Sequence, residues 1–205
     1  MKKTFFISLI ILLSILSNKI WSQTDSLKTD KVSQIICYLG FGGGPSLRGA
    51  SGELSLTITS SNYWGGSLNF RKGYIRIENV PDDYYGFFRP TPPSDDYTSL
   101  SFDLVKKFST FNRSVRFGFE AGPSLIWYNL VELELNPKYP NLFEYKYNKI
   151  YTSESTIGLS LAAKGEFSFF RFFGCELGVF TVINKIQSVL GLDICLNLGK
   201  VRNQQ

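Results

Sequence analysis

From Ile35 onward the chain sets apolar side chains beside small, polar or charged ones, in stretches of about ten residues or more separated by Asn, Ser, Pro, Asp and Gly. A period of two belongs to strands, whereas helices repeat at 3.6. The pattern predicts strands at about 35–47, 52–61, 63–77, 97–108, 114–130, 151–168, 173–184 and 188–200. An even number of this size suits an up-and-down barrel.

The two parities differ in chemistry. One holds Leu54, Leu56 and Ile58, then Trp64, Leu68 and Phe70, then Phe102 and Leu104, and ends on Leu190, Leu192, Ile194, Leu196 and Leu198, almost without charge. The other holds Glu53, Ser55 and Thr57, then Ser67, Asn69 and Arg71, then Asp103, Lys107, Arg116, Glu120, Lys164, Glu166, Glu176 and Asp193. A soluble carrier barrel of lipocalin type turns the apolar parity inward, and a membrane barrel turns it to lipid. Three features favour the membrane. Large aromatics such as Trp64, Phe70, Phe102, Phe117, Trp127 and Phe167 lie on the apolar parity, several near strand ends where interfacial girdles form. Glycines such as Gly40, Gly118, Gly174 and Gly178 lie on the polar parity, as a narrow interior requires. The longest connections, about 78–97 and 130–151, both follow odd-numbered strands and so fall on one side. The predicted fold is all-β: an eight-stranded antiparallel up-and-down transmembrane β-barrel with a polar, filled interior.

Length and composition refine this picture. The chain has 205 residues, enough for one domain of this kind. Lys2 and Lys3, an apolar stretch from Phe5 to Leu16, and a polar end at Ser22 predict a secretory signal peptide over 1–22. A short periplasmic segment, 23–33, and a barrel, 34–201, follow. The formal charge is +5, but Lys2, Lys3 and Lys19 belong to the signal; the remainder carries 19 basic and 17 acidic side chains, or +2. Without a Lys/Arg-rich run there is no electrostatic footprint for nucleic acid. Histidine is absent, which removes the commonest proton-transfer group at neutral pH and the commonest transition-metal ligand. The expectation is a protein that is not an enzyme, with no catalytic residues, cofactor or metal.

Several motifs bear on chemistry. Gly40-Phe41-Gly42-Gly43-Gly44-Pro45-Ser46-Leu47 and Gly118-Phe119-Glu120-Ala121-Gly122-Pro123-Ser124-Leu125 share the pattern GFxxGPSL, which hints at duplication of a four-stranded half. No lysine or helical pattern follows the first copy, so barrel packing explains it better than a nucleotide loop. Cys37 and Cys175 fall on the lipid parity and Cys195 on the interior one, an arrangement that disfavours disulfides. The interior charges Glu53, Arg71, Asp103, Lys107, Arg116, Glu120, Lys164, Glu166, Glu176 and Asp193 could be read as a glycosidase acid and base. An ion-pair network filling the lumen is the stronger reading, because buried charges require partners. Candidate surface contacts are Tyr84, Tyr85, Phe87 and Phe88 in the proline-rich connection, and Phe143, Tyr145 and Tyr147 in a hairpin expected to carry strands 5 and 6 past the bilayer.

With its signal, its eight segments, the GFxxGPSL repeats and the closing Leu190-Gly-Leu-Asp-Ile-Cys-Leu-Asn-Leu-Gly199, the chain resembles the outer-membrane β-barrel domain family of Gram-negative bacteria over about Val32 to Val201. The resemblance implies a place in the cell outer membrane, contact with its lipid, and a role in surface binding, adhesion or envelope structure with an extracellular or envelope protein as partner. It includes small porin-like barrels and PorT-like secretion-associated ones, so a subunit of a secretion complex is an alternative. A soluble lipocalin-like carrier is another. One departure stands out: many such barrels end on an aromatic, whereas here Val201-Arg-Asn-Gln-Gln205 follows the last strand.

Overall fold

Eight strands form, at Ile36–Ser46 (β1), Gly49–Thr59 (β2), Trp64–Arg76 (β3), Ser94–Ser109 (β4), Val115–Leu135 (β5), Tyr147–Ser168 (β6), Phe173–Asn184 (β7) and Val189–Lys200 (β8). The structure, a computed structural model, describes residues 35–77, 80–81, 84, 93–109, 115–137 and 146–201. The expected signal peptide (1–22) and the segment 23–33 lie outside the described residues. Each strand pairs antiparallel with its sequence neighbours, and β8 returns to β1, so the sheet is closed without an edge across the barrel. Strand positions follow the alternation closely. The predicted boundary moves most at the hairpin, where β5 and β6 reach 21 and 22 residues, and less at the starts of β4 and of β2, whose first residues Gly49, Ala50, Ser51 and Gly52 carry little parity signal.

The apolar parity faces outward. Leu54, Phe70, Phe102, Leu104, Phe119, Leu177, Leu192, Ile194 and Leu198 are all exposed, while Glu53, Arg71, Asp103, Arg116, Lys164, Glu166 and Asp193 are buried. This is the inverse of a soluble protein, and it removes the soluble-carrier alternative, which needs an apolar cavity inside. Trp64, Phe108, Phe117, Phe167, Phe169, Phe170 and Phe172 cluster at the end of the barrel carrying the β2–β3, β4–β5 and β6–β7 connections, forming an aromatic rim on that side.

The two GFxxGPSL copies do the same work. The β1–β8 register runs from Cys37↔Lys200 to Gly43↔Ile194, skips Gly44 and Pro45, and resumes at Ser46↔Gly191. The β4–β5 register runs down to Ser101↔Ser124, skips Pro123 and Gly122, and resumes at Leu104↔Ala121. Proline has no N–H to give the ladder. The preceding glycine lets the neighbouring backbone close in: a Cβ on Gly44 would collide with the Leu192 carbonyl, and one on Gly122 with the Phe102 carbonyl. Strands β1 and β5 stand half a circuit apart, so the two gaps are related by the pseudo-symmetry that the repeat implies.

The β2–β3 turn shows how local chemistry fixes register. Ser60 N–H donates to the Trp64 carbonyl (2.8 Å) and Tyr63 N–H to the Ser60 carbonyl (2.9 Å), while Asn62 Oδ1 accepts from Trp64 N–H (3.2 Å). Tyr63 adopts φ 63°, a left-handed conformation costing a non-glycine residue about 1–2 kcal/mol. Its carbonyl accepts from Lys107 N–H (2.9 Å), and its side chain packs on Ile36, Tyr38 and Val201, which offsets that cost.

Candidate functional site

The lumen is organised in layers. At the end carrying the β3–β4, β5–β6 and β7–β8 connections Ile75, Tyr97, Ile126, Tyr128, Phe180, Val182 and Val189 form a buried apolar plug. At the opposite end Ile36, Tyr38 and Val201 form a smaller one. The sequence reading made the interior parity polar throughout; the plugs correct it, because at the strand ends that parity turns to Tyr97, Ile126, Tyr128, Phe180 and Val182. Tyr128 is fixed through its hydroxyl, which donates to the Gln187 carbonyl (2.6 Å) and accepts from Asn184 Nδ2 (2.9 Å).

Between the plugs lie the ten charged side chains named above, all buried. Arg71 of β3 grips Asp193 of β8 with two nitrogens (2.9 and 2.7 Å) and also pairs with Glu53 of β2. Its guanidinium stacks on Phe180 at 3.3 Å from the ring centroid, joining the ionic layer to the larger plug. Lys164 of β6 sits among three carboxylates, Glu53 (3.2 Å), Glu120 (3.0 Å) and Glu176 (3.1 Å). Nearer the other plug, Lys107 reaches Glu166 (2.6 Å) and donates to the Tyr38 hydroxyl. Arg116 pairs with the second Glu166 oxygen and donates to Ser168 Oγ (3.1 Å) and the Val201 carbonyl, tying down the end of β8. Asp103 has neutral partners: its Oδ2 accepts from Asn69 Nδ2 (2.6 Å), Ser101 Oγ (2.9 Å) and Ser160 Oγ (3.3 Å). Sequence reasoning missed Tyr38, Asn69, Ser101 and Ser160 as members, although all four lie on the interior parity and Asn69 and Ser101 stand two residues from the named charges Arg71 and Asp103.

This arrangement links strands rather than presenting reactive groups. A sugar-cleaving carboxylate pair needs a substrate cleft between its members. The interior cavity beside Asn69, Asp103 and Glu120 has a volume of about 10 Å³, room for about one water. Cys37, Cys175 and Cys195 are free thiols.

The end with the β5–β6 connection is different. β5 and β6 stay paired up to Leu135↔Tyr147, whereas β7 begins pairing with β6 only at Gly158↔Asn184. Asn136 N–H donates to the Lys146 carbonyl (2.8 Å), which sets the phase of the ladder. Even-numbered β6 residues of the hairpin therefore bond to β5, and the N–H and C=O groups of Lys149, Tyr151, Ser153 and Ser155 point away from it, along an edge that no strand among the described residues covers. Asn148 to Ser155 are exposed on both faces. On the β5 side Asp95 Oδ1 accepts from Val131 N–H (2.8 Å). Of the candidate contacts, Tyr84 is instead buried at 6 % exposure and packs against Tyr147, ring centroids 6.1 Å apart. Tyr85, Phe87, Phe88, Phe143 and Tyr145 lie outside the described residues.

A closed eight-stranded antiparallel barrel with an apolar outer belt and a filled ionic lumen has the fold of an outer-membrane β-barrel. Comparison with solved structures agrees on the fold: the N-terminal β-barrel domain of OprF from Pseudomonas aeruginosa superposes with a TM-score of 0.52 at 11 % identity, covering 82 % of this chain and 98 % of that one. Neisserial surface protein A gives 0.48 at 10 % identity, with 82 % and 99 % covered. Ail of Yersinia pestis, solved with the heparin analogue sucrose octasulfate, gives 0.46 at 13 %, with 81 % and 96 % covered. No protein-family model matches the chain, and no curated protein matches it.

Proposed function

We propose that this is a non-enzymatic outer-membrane barrel whose projecting β5–β6 hairpin binds an extended segment of an extracellular or envelope protein by adding a strand to the open edge of β6. The observation that carries the reading is that edge. Four successive odd-numbered residues present backbone groups with no partner among the described residues, beside an aromatic side chain, Tyr151, that is 65 % exposed. Unpaired strand edges template pairing with other chains, and main-chain hydrogen bonds supply the affinity. The same geometry serves a subunit of a secretion or envelope complex, which would be one class of partner for the edge. The ionic network, in this reading, holds the wall rigid beneath the hairpin.

The test uses a photo-crosslinking residue at Tyr151 in intact cells, with and without Ser153→Pro. Proline at 153 removes an N–H that points to the open edge and leaves the β5 ladder intact. A cross-linked protein partner that disappears with Ser153→Pro supports strand addition; a cross-link indifferent to it refutes the edge as the binding element. Orientation is checked separately: protease added to intact cells should cut within 136–147 and spare 109–113.

A further inference from the structure

Gly66 interrupts the outer belt. It lies on the lipid-facing parity of β3, with Ile58 of β2 and Leu104 of β4 as its cross-strand partners. Those neighbours are 43 % and 62 % exposed and stand on either side of a position with no side chain. A groove of about 700 Å³ results, walled by Leu56, Ile58, Leu68, Phe102 and Leu104, with Trp64 at its end. The missing side chain is not imposed by packing: a Cβ on Gly66 would meet only the Asp103 carbonyl, at 3.6 Å. This contrasts with Gly65, whose Cβ would strike the Ile58 carbonyl.

Lys106 marks the same end of the groove. It is the cross-strand partner of Trp64 and shares the lipid-facing parity. Its ammonium lies 4.7 Å from the Trp64 ring centroid and 5.7 Å from that of Phe108, and donates to the Asn62 carbonyl (3.2 Å). Among the described residues no carboxylate pairs with it. A cation held by aromatic faces at the membrane boundary, with no protein anion, complements a lipid phosphate. Along β4, Phe102 lies four residues deeper than Lys106, about 13 Å at strand rise. The apolar trough thus runs inward from the charge, as an acyl chain runs from its headgroup.

We propose that this groove is a selective site for one anionic phospholipid, with an acyl chain over Gly66 and the phosphate on Lys106. The inference rests on the transmembrane reading above, in the leaflet that meets the β2–β3 turn. In vesicles of phosphatidylcholine doped with phosphatidylglycerol, Trp64 reports occupancy through quenching by brominated acyl chains, in a Trp21→Phe, Trp127→Phe background. Brominated phosphatidylglycerol should be preferred over brominated phosphatidylcholine about fivefold, the factor that one interfacial lysine contributes. Lys106→Gln should abolish the preference, and Gly66→Leu, which fills the trough, should abolish it with Lys106 intact. Val179→Leu, on the opposite wall, should leave it unchanged.

Equal quenching by the two lipids in the parent, or a preference that survives Gly66→Leu, overturns the proposal. So does chemical cross-linking of Gly66→Cys to its own copy in lipid-rich vesicles, since a second barrel would then occupy the groove. Insertion is scored independently by heat-modifiable electrophoretic mobility. A chain that never inserts refutes the transmembrane reading, whereas an inserted chain without preference refutes only the lipid site.

Discussion

The two halves of β6 live in different solvents. From Gly158 to Phe167 the strand is paired on both sides, with Lys164 and Glu166 buried inward and Phe167 turned outward. From Tyr147 to Ile157 it is paired only with β5, and its middle is exposed on both faces. Strands β1, β2, β7 and β8 are 11 or 12 residues long, close to the ~9–11 needed to cross a bilayer. The additional ten or so residues of β5 and β6 therefore have nothing to do with spanning. The comparison teaches that stability and recognition are divided along a single strand: the lower half is secured by neighbours and charges, and the upper half keeps an edge free. A two-stranded ribbon alone is marginal in water, so the hairpin depends on its footing, the Asp95–Val131 bond and the Tyr84–Tyr147 contact.

Substitutions that distinguish the two halves should span a wide range of effect. Lys164→Met removes the cation from three buried carboxylates and should cost about 3–5 kcal/mol, read by urea unfolding from vesicles; a loss under about 1 kcal/mol would mean the lower half is not held by its charges. Next comes the belt. Ile194→Arg places a charge on the lipid face of β8 and should cost about 2–4 kcal/mol, and a variant as stable as the parent would overturn the assignment of that face to lipid. Asp95→Ala leaves the Val131 N–H without its acceptor and should loosen the hairpin by about 1 kcal/mol. Hydrogen exchange at Val131 and its neighbours should accelerate while the urea midpoint holds, and a matching fall in the midpoint would show the halves to be one cooperative unit. The smallest effect belongs to Tyr151→Arg, expected within about 0.5 kcal/mol; a cost like that of Ile194→Arg would put the upper half in lipid as well.

The barrel was legible in the sequence because lipid and lumen impose opposite chemistries on alternate residues. Leu190, Leu192, Ile194, Leu196 and Leu198 against Asp193 and Asn197 leave little choice of face once a barrel is assumed. The layering of the lumen was less legible. Phe180 and Val182 share a parity with Glu176, and nothing local says that the interior turns apolar at one end; that follows from eight strands bringing Tyr97, Ile126 and Phe180 to one height. Register was opaque for the same reason. Arg71 meets Asp193 across the barrel, a pairing set by closure of the ring. The open edge of β6 was invisible as well, since it depends on where β7 stops rather than on any residue of β6.

The glycine–proline interruption between β1 and β8 also bears on the order of assembly. Neighbours such as β6 and β7 meet through a short connection, and local pairings form early because little chain entropy is lost in closing them. β1 and β8 are the neighbouring strands furthest apart along the chain, and their ladder is the one broken at Gly44 and Pro45. The growing sheet thus reaches its final joint at an interrupted ladder, and Arg116 bonds the Val201 carbonyl just beyond β8. A seam that zips last and is locked from inside gives the chain a defined closing step.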